Sequence, residues 1–147
     1  MTAFADSSAL AKLYAHEPGR ELVEDTSPLV VSTLARVEVV AALWGKQRVG
    51  QLSAEGAQVL TSEFESDYFG TDDEDPRFVA LGLSDPLLDE AARLAAVHGL
   101  RAYDSIQLSS ALAARGQDPS CSTVVCFDGD LRRAAAGEGF TLIPLTK

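Results

Sequence analysis

Four carboxylates, Asp6, Glu38, Asp104 and Asp128, stand where an acid serves either as a helix cap or as a ligand. Asp6 closes the apolar run Ala3-Phe4-Ala5, and Asp128 closes Val124-Val125-Cys126-Phe127. Both stand immediately before helical sequence, and Asp is a favoured N-cap, so capping is one reading of each. Asp104 also precedes a helix and carries the same two readings. Glu38 is harder to explain as structure, because it lies inside a helical stretch between Val37 and Val39. At roughly 100° per residue it sits about 40° from Leu34 and 60° from Ala41, beside an expected apolar stripe. A glutamate is almost never buried without a partner, and no Lys or Arg stands at position 34, 41 or 42. The plain alternative is a boundary glutamate that reaches solvent.

The chemistry such a set performs follows from its charge. Two carboxylates about 5 Å apart repel by roughly 3 kcal/mol at an effective dielectric of 20. Four in one cleft must therefore protonate in part or bind cations. Mg²⁺ or Mn²⁺ suits them, since a hard ion takes one or two carboxylates, keeps several waters and accepts phosphate oxygens. Ions so held activate water and stabilise the leaving oxygen of a phosphodiester. Asp130, two positions after Asp128, is a supplementary ligand in this reading. Ser7 and Ser8 are placed to hold a metal-bound water, or to cap the first helix.

Elements that would position these acids are legible as alternating apolar runs and helical periodicities, the pattern of a parallel sheet covered by helices on both faces. Strands are expected at residues 2–5, 29–32, 78–83, 123–127 and 140–144, short and apolar as buried parallel strands are. Helices are expected at 7–16, 19–24, 34–46, 54–68, 87–98, 104–115 and 129–137. The stripe of the third is read as Leu34, Val37, Ala41 and Trp44. Ser53 is the expected N-cap of the fourth; Asp85 with Pro86 opens the fifth, and Gly99 closes it. In an open parallel sheet, ligands bind beyond the carboxyl ends of the strands where strand order reverses. Asp6 and Asp128 converge there if the first and fourth strands are neighbours.

A chain of 147 residues fits one domain, taken as 1–147. No apolar run approaches the roughly 18 residues of a membrane span, and the N-terminus lacks the pattern of a signal peptide, so a cytoplasmic location is expected. The net charge of −10 is unusual for a nucleic-acid binder. Seven of the 22 acids lie in residues 63–76, and the loop 70–76 within that stretch is expected to be exposed or partly mobile. Setting aside those seven and the four proposed ligands leaves 11 acids against 12 Lys plus Arg, a balanced surface. Cys121 and Cys126 fall in an expected strand at a spacing that points them to opposite faces, so reduced packing residues are expected rather than a disulfide.

The order of these motifs resembles the PIN-domain family, in particular the toxin ribonucleases of VapBC toxin–antitoxin pairs. The resemblance is carried by Asp6-Ser7-Ser8-Ala9-Leu10-Ala11-Lys12-Leu13-Tyr14 with Glu17-Pro18-Gly19, and by Ser32-Thr33-Leu34-Ala35-Arg36-Val37-Glu38. It continues through Ala95-Ala96-Val97-His98-Gly99-Leu100-Arg101-Ala102-Tyr103-Asp104-Ser105-Ile106 and Phe127-Asp128-Gly129-Asp130-Leu131 with Ala134-Ala135. It implies an α/β three-layer sandwich with a five-stranded parallel sheet in order 3-2-1-4-5. It also implies a Mg²⁺/Mn²⁺ endoribonuclease cutting structured RNA of the tRNA or rRNA class, a cognate VapB-like antitoxin, and a homodimer. Asp6, Glu38, Asp104 and Asp128 match the family's ligand acids. Ser7 stands where Thr is frequent, and Gln107 and Ser109 replace the His and Ala often seen after the third acid.

Lys12, Arg101, Arg132 and Arg133 flank the acid motifs and are the expected RNA contacts, with a solvated face as the alternative for each. His16 and His98 stand near helix ends, where interaction with terminal carbonyls is the expected role. Trp44, Tyr14, Tyr68 and Phe69 are expected in the core or a subunit interface. Rival readings are a catalytically idle PIN-like module that binds nucleic acid or protein, and a DNA nuclease with the same acids. A receiver domain would need adjacent acids where Ser7 follows Asp6.

Overall fold

A computed structural model describes residues 2–146. The order of elements is β1 (Ala3–Ala5), α1 (Ser7–Ala15), α2 (Arg20–Glu24), β2 (Leu29–Ser32), α3 (Ala35–Arg48) and α4 (Ala54–Phe69). Then come β3 (Phe78–Leu81), α5 (Asp85–His98), α6 (Ala102–Gln117), β4 (Thr123–Val125), α7 (Gly129–Gly137) and β5 (Thr141–Ile143). The sheet runs β3-β2-β1-β4-β5 with every pairing parallel. This is the expected five-stranded α/β architecture.

Successive side chains of a strand point to opposite faces, and here they feed two separate cores. Ala3, Ala5, Leu29, Val31 and Val125 face α1 to α4, where they meet Leu10, Leu13, Val39, Leu43 and Phe64. Phe4, Val30 and Val124 face α5 to α7, where they meet Leu94, Leu108, Ala111 and Leu131. Central strands are buried on both sides, as the continuous apolar runs imply. The third strand departs from the expectation. It is shorter than 78–83, and it lies at the sheet edge with Val79 and Ala80 exposed.

Helix starts follow local chemistry. Asp6 accepts from Ala9 N, Ser53 from Gly56 N, and Asp128 from Leu131 N. Ser84, not Asp85, caps α5, because Asp85 is already helical; Pro86 sits in the first turn and Gly99 ends the helix at φ 66°. The buried stripe of α3 is Ala35, Val39 and Leu43, while Val37 is 68% exposed. The inward face differs from the expected stripe because the helix is nearly balanced in polarity around its circumference, so periodicity alone has little to choose between faces. Residues 71–76 are exposed, with Thr71 N and Glu74 O bonded at 2.8 Å across the turn. Cys121 and Cys126 are free and buried in the same core rather than on opposite faces. The strand between them is only Thr123–Val125, so Cys121 lies before it and alternation does not reach it. Among the described residues no helix is long and apolar enough to cross a membrane.

Candidate carboxylate site

Strand order reverses between β1 and β4. Asp6 follows β1 directly, and its amide bonds Val125 O of β4 at 3.3 Å, so the two strand ends are locked side by side. The Asp6 side chain is 4% exposed. Its oxygens accept from Ala9 N at 3.0 Å and from Ser8 Oγ at 2.8 and 3.0 Å, and Cys126 Sγ lies 3.6 Å from Oδ2. Burial raises its pKa to about 6, the hydrogen bonds oppose that shift, and the charge of Glu38 adds to it. Capping and ligation are therefore not alternatives at Asp6; the backbone bond fixes an acid that remains close to other acids.

Glu38 is half-buried on α3, one turn after Ala35, and is anchored from two elements. Ser7 Oγ donates to its Oε1 at 2.9 Å, and Gln107 Nε2 donates to the same oxygen at 2.8 Å and to Ser7 Oγ at 2.8 Å. Gln107 Oε1 is buried with no hydrogen-bond partner among the described residues. A lone buried acceptor is costly, so this amide is oriented by its donor side toward the glutamate.

Asp104 does not cap a helix. The helix α6 begins at Ala102, which leaves Asp104 in its first turn with a side chain 19% exposed. Partial burial raises its pKa first, followed by the charge of Asp128 and more weakly that of Asp130, while Arg101 opposes the shift. Asp128 is half-buried and caps α7 through Oδ2. Cys126 Sγ also reaches Asp128 O at 3.7 Å, which places one thiol between the backbone of Asp128 and the carboxylate of Asp6. The same burial and acidic neighbours push the Cys126 thiol far up, so it stays protonated.

Asp6 feels the charge of Glu38, and Asp104 feels those of Asp128 and Asp130. A PIN-domain family profile matches residues 3–137. This chain belongs to the PIN-domain family. PIN domains are generally metal-dependent nucleases, so nuclease is the activity class that membership supports. Among solved structures, the chain is similar to a toxin–antitoxin complex from Klebsiella pneumoniae, at 16% identity and TM-score 0.55, covering 86% of each chain. It is also similar to PAE2754 from Pyrobaculum aerophilum, at 24% identity and TM-score 0.61, covering 91% of this chain and 79% of that one. At these identities what is shared is the PIN fold. No curated protein matches this chain in sequence.

For a PIN domain, the donor set suits a hard divalent cation. Asp6, Glu38, Asp104 and Asp128 offer only oxygens, and the raised pKa values of Asp6 and Asp104 express repulsion and burial that a cation would relieve. Among the described residues no three His, Cys, Asp or Glu side chains are arranged to hold a metal by themselves.

Other residues of the PIN domain divide clearly. Ser8 is tied to Asp6 and Ser7 to Glu38, so both hydroxyls orient acids. Asp130 is exposed and paired with Arg133 at 3.2 Å. Arg101 is almost fully exposed beside Asp104. Arg132 is different from the other flanking cations: it donates to Cys126 O at 2.9 Å and Pro144 O at 2.7 Å. It fastens the end of β5 to the end of β4. Tyr14 and Tyr68 are buried as expected, whereas Phe69 is exposed under Arg36. His98 pairs with Glu138 at 2.7 Å instead of capping carbonyls, and His16 is the left-handed C-cap of α1.

Sequence reasoning missed Gln107 and Cys126 as neighbours of the site. Gln107 stands three positions after Asp104, the helical spacing that places both on one face. Cys126 stands two positions before Asp128, at the end of the strand beside β1.

Proposed function

We propose that this PIN domain is a Mg²⁺- or Mn²⁺-dependent endoribonuclease that acts as the toxin of a toxin–antitoxin pair. The observation that carries the metal and nuclease part is the buried Asp6, raised to about pH 6, next to Glu38 at the switch point of a PIN sheet. Asp6, Glu38, Asp104 and Asp128 would hold the ion, with Asp130 supplementary. When bound, the ion supplies an activated water and stabilises charge on the phosphodiester being cut. Ser7 and Gln107 keep Glu38 aimed, and Ser8 keeps Asp6 aimed. Lys12, Arg101 and Arg133 line the approach and contribute phosphate contacts.

Support for a toxin comes from the order of motifs and from the toxin–antitoxin complex among the structural neighbours. The cognate antitoxin is then a VapB-like protein whose Arg enters the acidic site and replaces the ion's charge through bidentate bonds. The working form is a cytoplasmic homodimer of chains each forming one nuclease domain over 1–147. The test is cleavage of tRNA and rRNA by purified protein with Mg²⁺ or Mn²⁺, with and without the product of the neighbouring small gene. Cleavage that persists unchanged with that product at saturation contradicts the toxin reading.

A further inference from the structure

Beside the carboxylates lies a cleft of about 480 Å³ that touches the site at Ser8 and Asp128. Its charged wall is Lys12 from α1 and Lys46 from α3, with Glu17 between them. Lys46 Nζ is 2.9 Å from one Glu17 oxygen, and Lys12 Nζ is 3.8 Å from the other. Surface lysines are ordinarily free chains, yet these side chains are only 16% and 23% exposed. Lys12 is held further by the face of Phe127, 4.6 Å from its ammonium. Phe127 in turn sits close over Gly19, where φ is +96° and an added Cβ would fall 2.7 Å from the ring. The cations are therefore set in fixed positions, in a protein whose net charge is −10.

We infer that this cleft is a subsite for a backbone phosphate of the RNA strand next to the bond being cut, and that Glu17 occupies it as an internal stand-in. A carboxylate ion-paired with two ammonium groups, at 2.9 and 3.8 Å, stands where a phosphate's oxygens would, with less charge. A strand entering over Ser8 and Asp128 exchanges Glu17 for its own phosphate, and the cleft has room for the attached nucleotide because α3 contributes Ala42 and Gly45 there. The subsite rests on the nuclease reading for its substrate. It adds Lys46 and Phe127 as residues that position the strand, and Glu17 as a restraint on its entry.

The discriminating feature is sign. If the Lys12–Glu17–Lys46 group only braces the fold, Glu17→Gln and Lys46→Ala weaken the protein alike and neither changes RNA affinity specifically. The subsite requires opposite effects. Binding of a short fluorescein-labelled single-stranded RNA is measured by anisotropy in EDTA, over a range of salt concentrations. Lys46→Ala is expected to raise Kd roughly five-fold and to flatten the slope of log K against log salt by about 0.7, the loss of one phosphate contact. Glu17→Gln is expected to lower Kd several-fold. With Mn²⁺ present, Lys46→Ala raises KM for RNA cleavage more than it lowers kcat. Equal Kd values for wild type and Lys46→Ala, or weaker binding by Glu17→Gln at unchanged melting temperature, overturn the subsite. Wild type that binds this RNA with the expected pair of effects but cuts no RNA with any divalent ion contradicts the nuclease reading alone.

Discussion

Gln107 Nε2 lies 2.8 Å from Glu38 Oε1, a bond that joins the middle of α6 to the first turn of α3 across the carboxylate site. The same nitrogen donates to Ser7, which itself donates to Glu38, so three elements converge on one carboxylate oxygen. Partners that orient ligands matter nearly as much as the ligands themselves, with typical losses of about 10–100-fold in metal affinity or activity. Gln107→Leu, which keeps the volume and removes the donor, is expected to lower cleavage by roughly that factor and to weaken Mn²⁺ binding. Far-UV circular dichroism should not change. Full activity in Gln107→Leu would show that Ser7 alone aims Glu38.

The metal-free protein should be less stable at neutral than at mildly acidic pH because of Asp6. The folded carboxyl holds its proton to about pH 6, against 3.8 for the unexposed-to-fold reference, so the folded state binds the extra proton between those values. Its contribution is most favourable below the lower value, falls as pH rises through the window, and stays lowered above pH 6. The full difference is at most about 3 kcal/mol. Asp6→Asn retains the acceptor that caps α1 and removes the charge. Urea unfolding in EDTA across the window should therefore show a steeper fall in wild type than in Asp6→Asn, where only the smaller contribution of acids such as Asp104 remains, and Asp6→Asn should be the more stable protein at neutral pH. Parallel profiles would assign the dependence to other acids.

A bound ion relieves the same cost, so Mn²⁺ should raise the melting temperature of wild type, with a gain of roughly 2.7 kcal/mol at 100 Kd. The rise should be much smaller in Asp6→Asn. Equal shifts in both proteins would place the ion elsewhere.

Arg132 offers a contrast between a cation near the site and a cation of the site. Its two bonds satisfy Cys126 O and Pro144 O, and Arg132→Ala leaves both carbonyls without that donor. A loss of about 1–3 kcal/mol in urea unfolding is expected, with RNA affinity in EDTA little changed. A stable variant that binds RNA poorly would return Arg132 to the RNA face.

Much of the fold was legible because its signals are local. Apolar runs marked all five strands, and Asp6, Ser53, Asp128 and Gly99 marked helix ends through the backbone groups they satisfy. What depends on tertiary position was not. The edge placement of β3 exposes Val79 although its sequence reads as a buried strand. The inward stripe of α3 is chosen by packing against α1 and α4, since its own polarity is nearly even around the helix. The acids could be proposed individually from strand ends and helix faces. The grip of Gln107 on Glu38 could not, because it joins positions far apart in sequence. The carbonyl partners of Arg132 were not legible either, because they become neighbours only when β5 lies beside β4.

The central claim is that these acids hold the ion that cuts RNA. Its most direct measurement is cleavage of structured RNA by the purified wild type in Mn²⁺, with Asp104→Asn, Glu38→Gln and an excess-EDTA control alongside. The account predicts cutting by wild type that EDTA abolishes, and no cutting by either variant at an unchanged circular dichroism spectrum. Cleavage by wild type that survives excess EDTA, or that persists in both variants, would contradict it.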